Sequence, residues 1–142
     1  MNPPATATDD AGQIDTLIAR FFAVFDNRDG RIATADSFTS LFVPNACIAS
    51  HGAGGIKLEG PLAFVEPRLA LLRSGRLLTF HEWETSHQTE IIGTLASRRA
   101  CYRKQGLLDG RDYAGTGTKF FQLARLEGAW RIVSLSWIDD TP

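Results

Sequence analysis

The sequence predicts an α+β fold in which a strongly curved sheet, mixed or antiparallel, wraps around N-terminal helices and leaves a pocket inside. Three observations carry this expectation. Up to Gly75 the apolar residues recur mostly at helical spacing, whereas from Leu78 to Asp139 they alternate as strands do, between tight glycine turns. Large side chains also occur on both faces of the last two strands, and such a sheet needs a cover on each side. Helices can cover one side, so a homodimer through the sheet is expected on the other.

The elements follow in order. Ile14, Leu17, Ile18, Phe21, Phe22 and Phe25 share one helical stripe, and Asp9 and Asp10 lie upstream, where carboxylates cap free amides. Asn27–Gly30 ends this helix. A short second helix starts near Thr34, turns Phe38, Leu41 and Phe42 inward, and stops at Pro44. Ala46–His51 reads as a strand, followed by a glycine loop, His51–Gly55. Pro61 opens a third helix bearing Leu62, Phe64, Val65, Leu69 and Leu72, with a kink or break expected at Pro67 and a stop at Gly75.

Gly93–Thr94 offers a two-residue hairpin turn of the type that places glycine first. That register sets Glu84 opposite Arg103, Gln88 opposite Arg99 and Thr85 opposite Tyr102. Gln105–Gly115 reads as a longer polar connection, and Thr116–Leu126 as the next strand. A turn at Glu127–Gly128 leads into Trp130–Asp139, pairing Leu123 with Ile132 and Phe120 with Leu135.

With 142 residues the chain fits one domain, expected over residues 13–142 behind a disordered tail at 1–12. A formal net charge of −1 gives no global pull toward nucleic acid or an anionic membrane. No apolar run approaches the roughly 20 residues that span a bilayer. The opening residues lack the basic start and apolar core of a secretory signal. Cys47 and Cys101 fall inside strands, too few for a disulfide scaffold, so a reducing cytoplasm is the expected location.

Four stretches, FFAVFDNRDG, LFVPNACI, FVEPRLALLRSG and FHEWE…IIGTLASRRACY, together with the ending FQLARLEGAWRIVSLSWIDD, resemble the nuclear transport factor 2-like (NTF2-like, or SnoaL-like) superfamily, and its uncharacterised bacterial members most closely. The resemblance implies a cone, a pocket at its open end and commonly a dimer. It does not imply one activity, since the superfamily holds isomerases, dehydratases, epoxide hydrolases, cargo carriers and assembly modules. Members similar to ketosteroid isomerase place a carboxylate base on the first strand, where this chain has Ala46, Cys47, Ile48, Ala49, Ser50 and His51, so that mechanism is disfavoured. An Asp–Arg–Asp arrangement of the epoxide hydrolase kind is not placed on these strands either.

Several residues are candidates for chemistry. His81 and His87 lie roughly 20 Å apart along one strand at about 3.3 Å per residue, too far to share a metal ion, so no metal or cofactor is expected. Glu82 and Glu84 share a strand face and could split into acid and base, although Glu84 opposite Arg103 reads more simply as a wet cross-strand charge pair. Tyr102, Thr85 and His87, set on the face away from Glu84, could line the cavity. His51 suits a pocket mouth. By parity Trp130 and Trp137 fall on opposite faces, one in the core or pocket and the other on a covered outer surface. Gln122, on the face of Phe120 and Val133, is an amide needing partners if buried. Arg98 and Arg99 point to opposite faces, and one of them can enter the cavity as an anion clamp. Gly52, Gly54 and Gly55 make a weak phosphate-binding pattern.

The candidate ligand-binding set is therefore His51, Thr85, His87, Tyr102, Gln122 and Trp137. The function expected is binding of a small, mostly apolar organic molecule in the cone, with cofactor-independent acid–base activity of isomerase, dehydratase or hydrolase type as its catalytic form. The alternative is a non-catalytic dimerisation or interaction module.

Overall fold

The computed structural model describes residues 7–140. Helix α1 (Ala7–Ala23) is followed by a short 3-10 turn, helix α2 (Ala35–Thr39), strands β1 (Phe42–Gly52) and β2 (Gly55–Glu59), and helix α3 (Pro61–Arg73). Four long strands then complete the chain: β3 (Leu77–Ile92), β4 (Leu95–Leu108), β5 (Arg111–Leu126) and β6 (Ala129–Asp139). They form one six-stranded sheet in the order β2-β1-β6-β5-β4-β3, in which β1 runs parallel to β6 and every other pair is antiparallel.

The sheet curls. Strands β1 and β3 are four places apart in it, about 19 Å if it were flat. Yet α3 packs against both, which a helix about 10 Å wide can do only if the sheet bends around it. Irregular pairings help the bend: β1 between Phe42 and Cys47, β3 at Thr79 and again at Thr85, and β6 at Val133.

All six residues of the α1 stripe are buried. Phe21 lies against Phe38 (5.5 Å between centroids) and Phe121 of β5 (5.2 Å), Phe38 against Phe42 of β1 (4.8 Å), and Phe64 against Trp137 of β6 (6.4 Å), so all three helices meet the sheet through aromatic rings. Polar ties fix the entry and exit of α1. Asp10 is part of the first turn and accepts from the Trp130 indole (3.0 Å) and from Arg125 (3.1 Å). Asn27 donates to the Leu72 and Leu77 carbonyls (3.1 and 2.8 Å) and exchanges two bonds with the Phe80 backbone, joining α1, α3 and β3.

The structure corrects several sequence expectations. Helix α1 begins at Ala7, so 7–12 are helical; residues 1–6 of the expected tail, with 141 and 142, lie outside the described residues. Helix α2 starts next to Thr34 as expected, with Thr34 as its cap, but ends at Thr39. Pro44 belongs to β1, where β2 has not yet joined and a missing N–H costs little. The glycine loop is a tight hairpin, Gly52 facing Gly55, and 55–59 is a strand. Helix α3 runs through Pro67, anchored on either side by buried Val65 and Leu69. The polar connection at 105–115 is two strands joined at Asp109–Gly110, both with positive φ (51° and 81°), the geometry an Asp-Gly turn supplies.

Register also differs at the two bulges. Thr85 is the extra residue of β3, so Glu84 pairs with Tyr102 and Trp83 with Arg103, while Gln88 does face Arg99. Val133 is the extra residue of β6. Leu123 still faces Ile132, but Phe120 faces Ser136. Parity therefore inverts along β6, and Trp130 and Trp137 both turn inward.

Candidate functional site

Between the open end of the sheet, the end of α1 and α3 lies a hollow of about 280 Å³. Its walls are aromatic and aliphatic, from Phe21, Phe25, Phe64, Phe80, Tyr113 and Trp137 with neighbouring leucines. Five ionisable groups interrupt them: Arg68 from α3, Glu82 from β3, Lys104 from β4, Lys119 from β5 and Asp139 from β6. A wider depression of about 660 Å³ between Pro44, Pro61 and Leu126 lies outside the cone, and its Arg131 is bonded to the Ser40 carbonyl (2.9 Å).

Strand pairing brings the charged residues together. Glu82 faces Lys104 across β3–β4, Lys119 faces Trp137 across β5–β6, and Gly117 faces both Tyr102 and Asp139. A methyl at Gly117 would overlap the Tyr102 hydroxyl. The bare glycine lets that phenol cross the strand and donate to Asp139 Oδ1, while Lys104 Nζ donates to Oδ2 at 2.9 Å. Burial opposes ionisation of Asp139, but the Tyr102 and Lys104 hydrogen bonds outweigh it and hold this carboxyl below its ordinary range. Burial and the Asp139 carboxylate push the Tyr102 phenol far up, so it stays a donor. Burial also works against the Lys104 charge, but its bond to Asp139 keeps that ammonium above its usual value.

Lys119 is held differently. Its side chain is 3% exposed, and Nζ lies 3.7 Å from Glu82 Oε1, too far for a good hydrogen bond. Aromatic faces surround it, Tyr102 at 4.1 Å and Trp137 at 4.4 Å from ring centroid to Nζ. Burial lowers its pKa, with Lys104 and Arg68 adding to the effect and Glu82 and Asp139 opposing it. Arg68, also lowered by burial, lies over the Phe64 ring (3.6 Å) and donates to the Phe64 carbonyl (2.8 Å).

Of the six residues the sequence proposed, Trp137 lines this hollow and Tyr102 adjoins it through Asp139. The other four lie elsewhere. Thr85 is the exposed bulge residue. His87 is exposed, facing Ala100 at the far end of the hairpin, and within reach of Thr89 (3.3 Å). Gln122 is exposed on the outer face, accepting from the Ser97 hydroxyl (2.7 Å), and His51 is exposed at the β1–β2 hairpin. Glu84 is not a wet pair with Arg103. It faces inward and binds Arg98 (3.0 Å from Nε), which also reaches Asp15 of α1 (2.6 Å). Arg98 thus enters the interior, as one of the two arginines was expected to, but its charge is met by protein carboxylates. The site residues missed, Glu82 apart, were Arg68, Lys104, Lys119 and Asp139. One signal was present: Lys119 shares its parity with Phe121 and Leu123, which marks it as inward.

No family model matches the chain, and no curated protein matches it. Solved structures do. A nuclear transport factor 2-like superfamily protein from Salmonella enterica serovar Typhimurium aligns at TM-score 0.76 and 15% identity over 96% of this chain and 95% of its own. A type 2 hexachlorocyclohexane dehydrochlorinase aligns at TM-score 0.76 and 14% identity, over 95% and 88% respectively. A structure described as a putative aromatic ring hydroxylase from Novosphingobium aromaticivorans aligns at TM-score 0.75 and 20% identity, over 100% and 94%. The chain therefore has the nuclear transport factor 2-like fold, as its sequence resemblance implied. No helix among the described residues is long and apolar enough to cross a membrane.

Proposed function

We propose that the hollow binds a small, mostly apolar organic molecule and that Glu82 and Lys119 exchange protons with it without a cofactor. The observation that carries this reading is the state of Glu82. It is a carboxylate with a side chain 10% exposed in an aromatic wall, and among the described residues it accepts no hydrogen bond and has one ion-pair neighbour, Lys119 at 3.7 Å. A carboxylate without protein donors in a mostly aromatic wall can accept a proton from a bound molecule, and an ammonium beside it can steady the anion that results. Asp139, whose two oxygens are taken by Tyr102 and Lys104, serves instead to fix the local field. Two fold neighbours carry names that speak of small ring compounds, a hexachlorocyclohexane and an aromatic ring. The interaction-module alternative calls for a filled cone, which the hollow does not favour.

In this reading two copies pair through the outer face of the sheet, where Phe120 and Ile138 stand exposed among Ser, Thr, Gln and Arg side chains. The test of the binding site is a thermal-shift screen of small aromatic and alicyclic compounds. Hits are expected to raise the melting temperature in the native chain and to lose their effect in Trp137→Ala. A library in which nothing stabilises the chain overturns the proposal.

A further inference from the structure

We propose that Lys119 is an amine nucleophile that forms a reversible imine with a small oxo acid, a compound bearing both a carbonyl and a carboxylate. This deepens the binding-site reading and rests on it. The chain has 15 basic residues, but only three are lysines. Two of those, Lys104 and Lys119, stand in the wall of the hollow; the third, Lys57, is exposed on β2. Lys104 is bound to Asp139 at 2.9 Å and is thereby held as an ammonium. Among the described residues Lys119 has no hydrogen bond of that kind. It sits against aromatic faces with Glu82 at 3.7 Å and two other cations, Lys104 and Arg68, in the same wall. An apolar surrounding and neighbouring positive charge both favour the neutral amine, the form that attacks carbonyl carbon.

The steps balance with the groups present. Lys119 as an ammonium passes one proton to Glu82. The neutral amine then adds to the carbonyl carbon, an N–C bond forms, and the π pair moves to oxygen, which takes a proton from the same nitrogen to give a carbinolamine. Glu82 returns its proton to that hydroxyl, water leaves, and a protonated imine remains on Lys119. The sum is ammonium plus carbonyl giving iminium plus water. The carboxylate of the ligand is assigned to Arg68. That guanidinium has donors left after its single bond to the Phe64 carbonyl, and the described residues give it no carboxylate within ion-pair distance.

The experiment traps the imine. The full chain is incubated with benzoylformate or with benzaldehyde, reduced with sodium borohydride and mapped by peptide mass spectrometry, with binding followed separately by thermal shift. The expected result is a benzoylformate adduct on Lys119 at least about tenfold above that on Lys57, and loss of this excess in Arg68→Gln. Because Lys57 is an internal control, the outcome does not depend on a Lys119 variant that folds. Stabilisation by benzoylformate with no excess label on Lys119 overturns the imine and leaves the binding site standing. Preferential trapping of benzaldehyde overturns the oxo-acid assignment. If no compound of any class stabilises the chain, the binding-site reading itself fails, and label spread evenly over the three lysines would accompany that result.

Discussion

Tyr102 lies across Gly117, and the absence of a side chain there is what allows its hydroxyl to reach Asp139. The cross-strand partner of the tyrosine is thus the residue that gives it passage. Gly117→Ala is expected to destabilise the chain by about 1–3 kcal/mol through overpacking. Tyr102→Phe in the same background should recover part of the loss, because the added methyl meets the phenol oxygen first. Chemical denaturation of the two single variants and the double variant checks this, and strict additivity would contradict it.

Removing either member of the Glu82–Lys119 pair leaves the other without its partner in a mostly apolar wall. Lys119→Met alone is expected to cost stability, with the double variant Glu82→Gln, Lys119→Met less destabilised than the sum of the singles by about 1 kcal/mol or more. The pH dependence has a definite sign. The folded pKa of Lys119 is below its unfolded value, so the unfolded chain binds more protons between the two, and stability rises with pH across that interval. Glu82, Lys104, Asp139, Arg68 and Tyr102 all face this ammonium, so the slope is to be measured as the difference between native chain and Lys119→Met. A difference curve that falls with pH would refute the assignment.

Asp26 sets an acid limit. Its pKa is lowered to about 2, chiefly by hydrogen bonding to Arg28, with Arg31 contributing. Such a carboxylate contributes stability that is complete above its unfolded value near 4 and lost as pH falls toward 2. The difference in unfolding free energy between native chain and Asp26→Asn should therefore shrink over that window and be flat near neutrality.

Asn27 is the latch between helices and sheet, with its side chain bonded to the carbonyls of Leu72 and Leu77 and to the Phe80 amide. Asn27→Ala leaves these partly buried groups short of partners and is expected to cost about 2–3 kcal/mol. Urea titration measures it, and a change below half a kcal/mol would mean that water replaces the amide without loss.

The proposed dimer puts Phe120 against the second copy. Light scattering is expected to give twice the chain mass, falling to the monomer mass in Phe120→Lys. A native chain that scatters as a monomer removes the interface.

Much of the architecture could be read from periodicity. The stripe from Ile14 to Phe25, the start of α2 near Thr34 and the turns at Gly93–Thr94 and Glu127–Gly128 all stand where local chemistry put them. The site was less legible, for a physical reason. A strand's faces are known only modulo its bulges, and Thr85 and Val133 each add one residue that exchanges inside for outside. Glu84 was accordingly placed outward, and the two tryptophans were separated. Asp109–Gly110 was a readable turn signal hidden in a polar stretch, and taking it as loop concealed that Tyr113 belongs to a paired strand at the hollow. Lys119 was obscured by its type, since lysine in a strand is ordinarily a solvent-facing residue.

The single extra residue in β6 has a wider meaning. Before Val133 the strand contributes anchoring bulk, Trp130 and Ile132; after it, Leu135, Trp137 and Asp139. Were the strand regular through that valine, Ser134, Ser136 and Ile138 would face inward in place of the latter trio, and the cavity would be without its acid and its indole. Because the bulge absorbs that one residue, two stretches of sequence that are out of step with each other both turn their large side chains toward the cone.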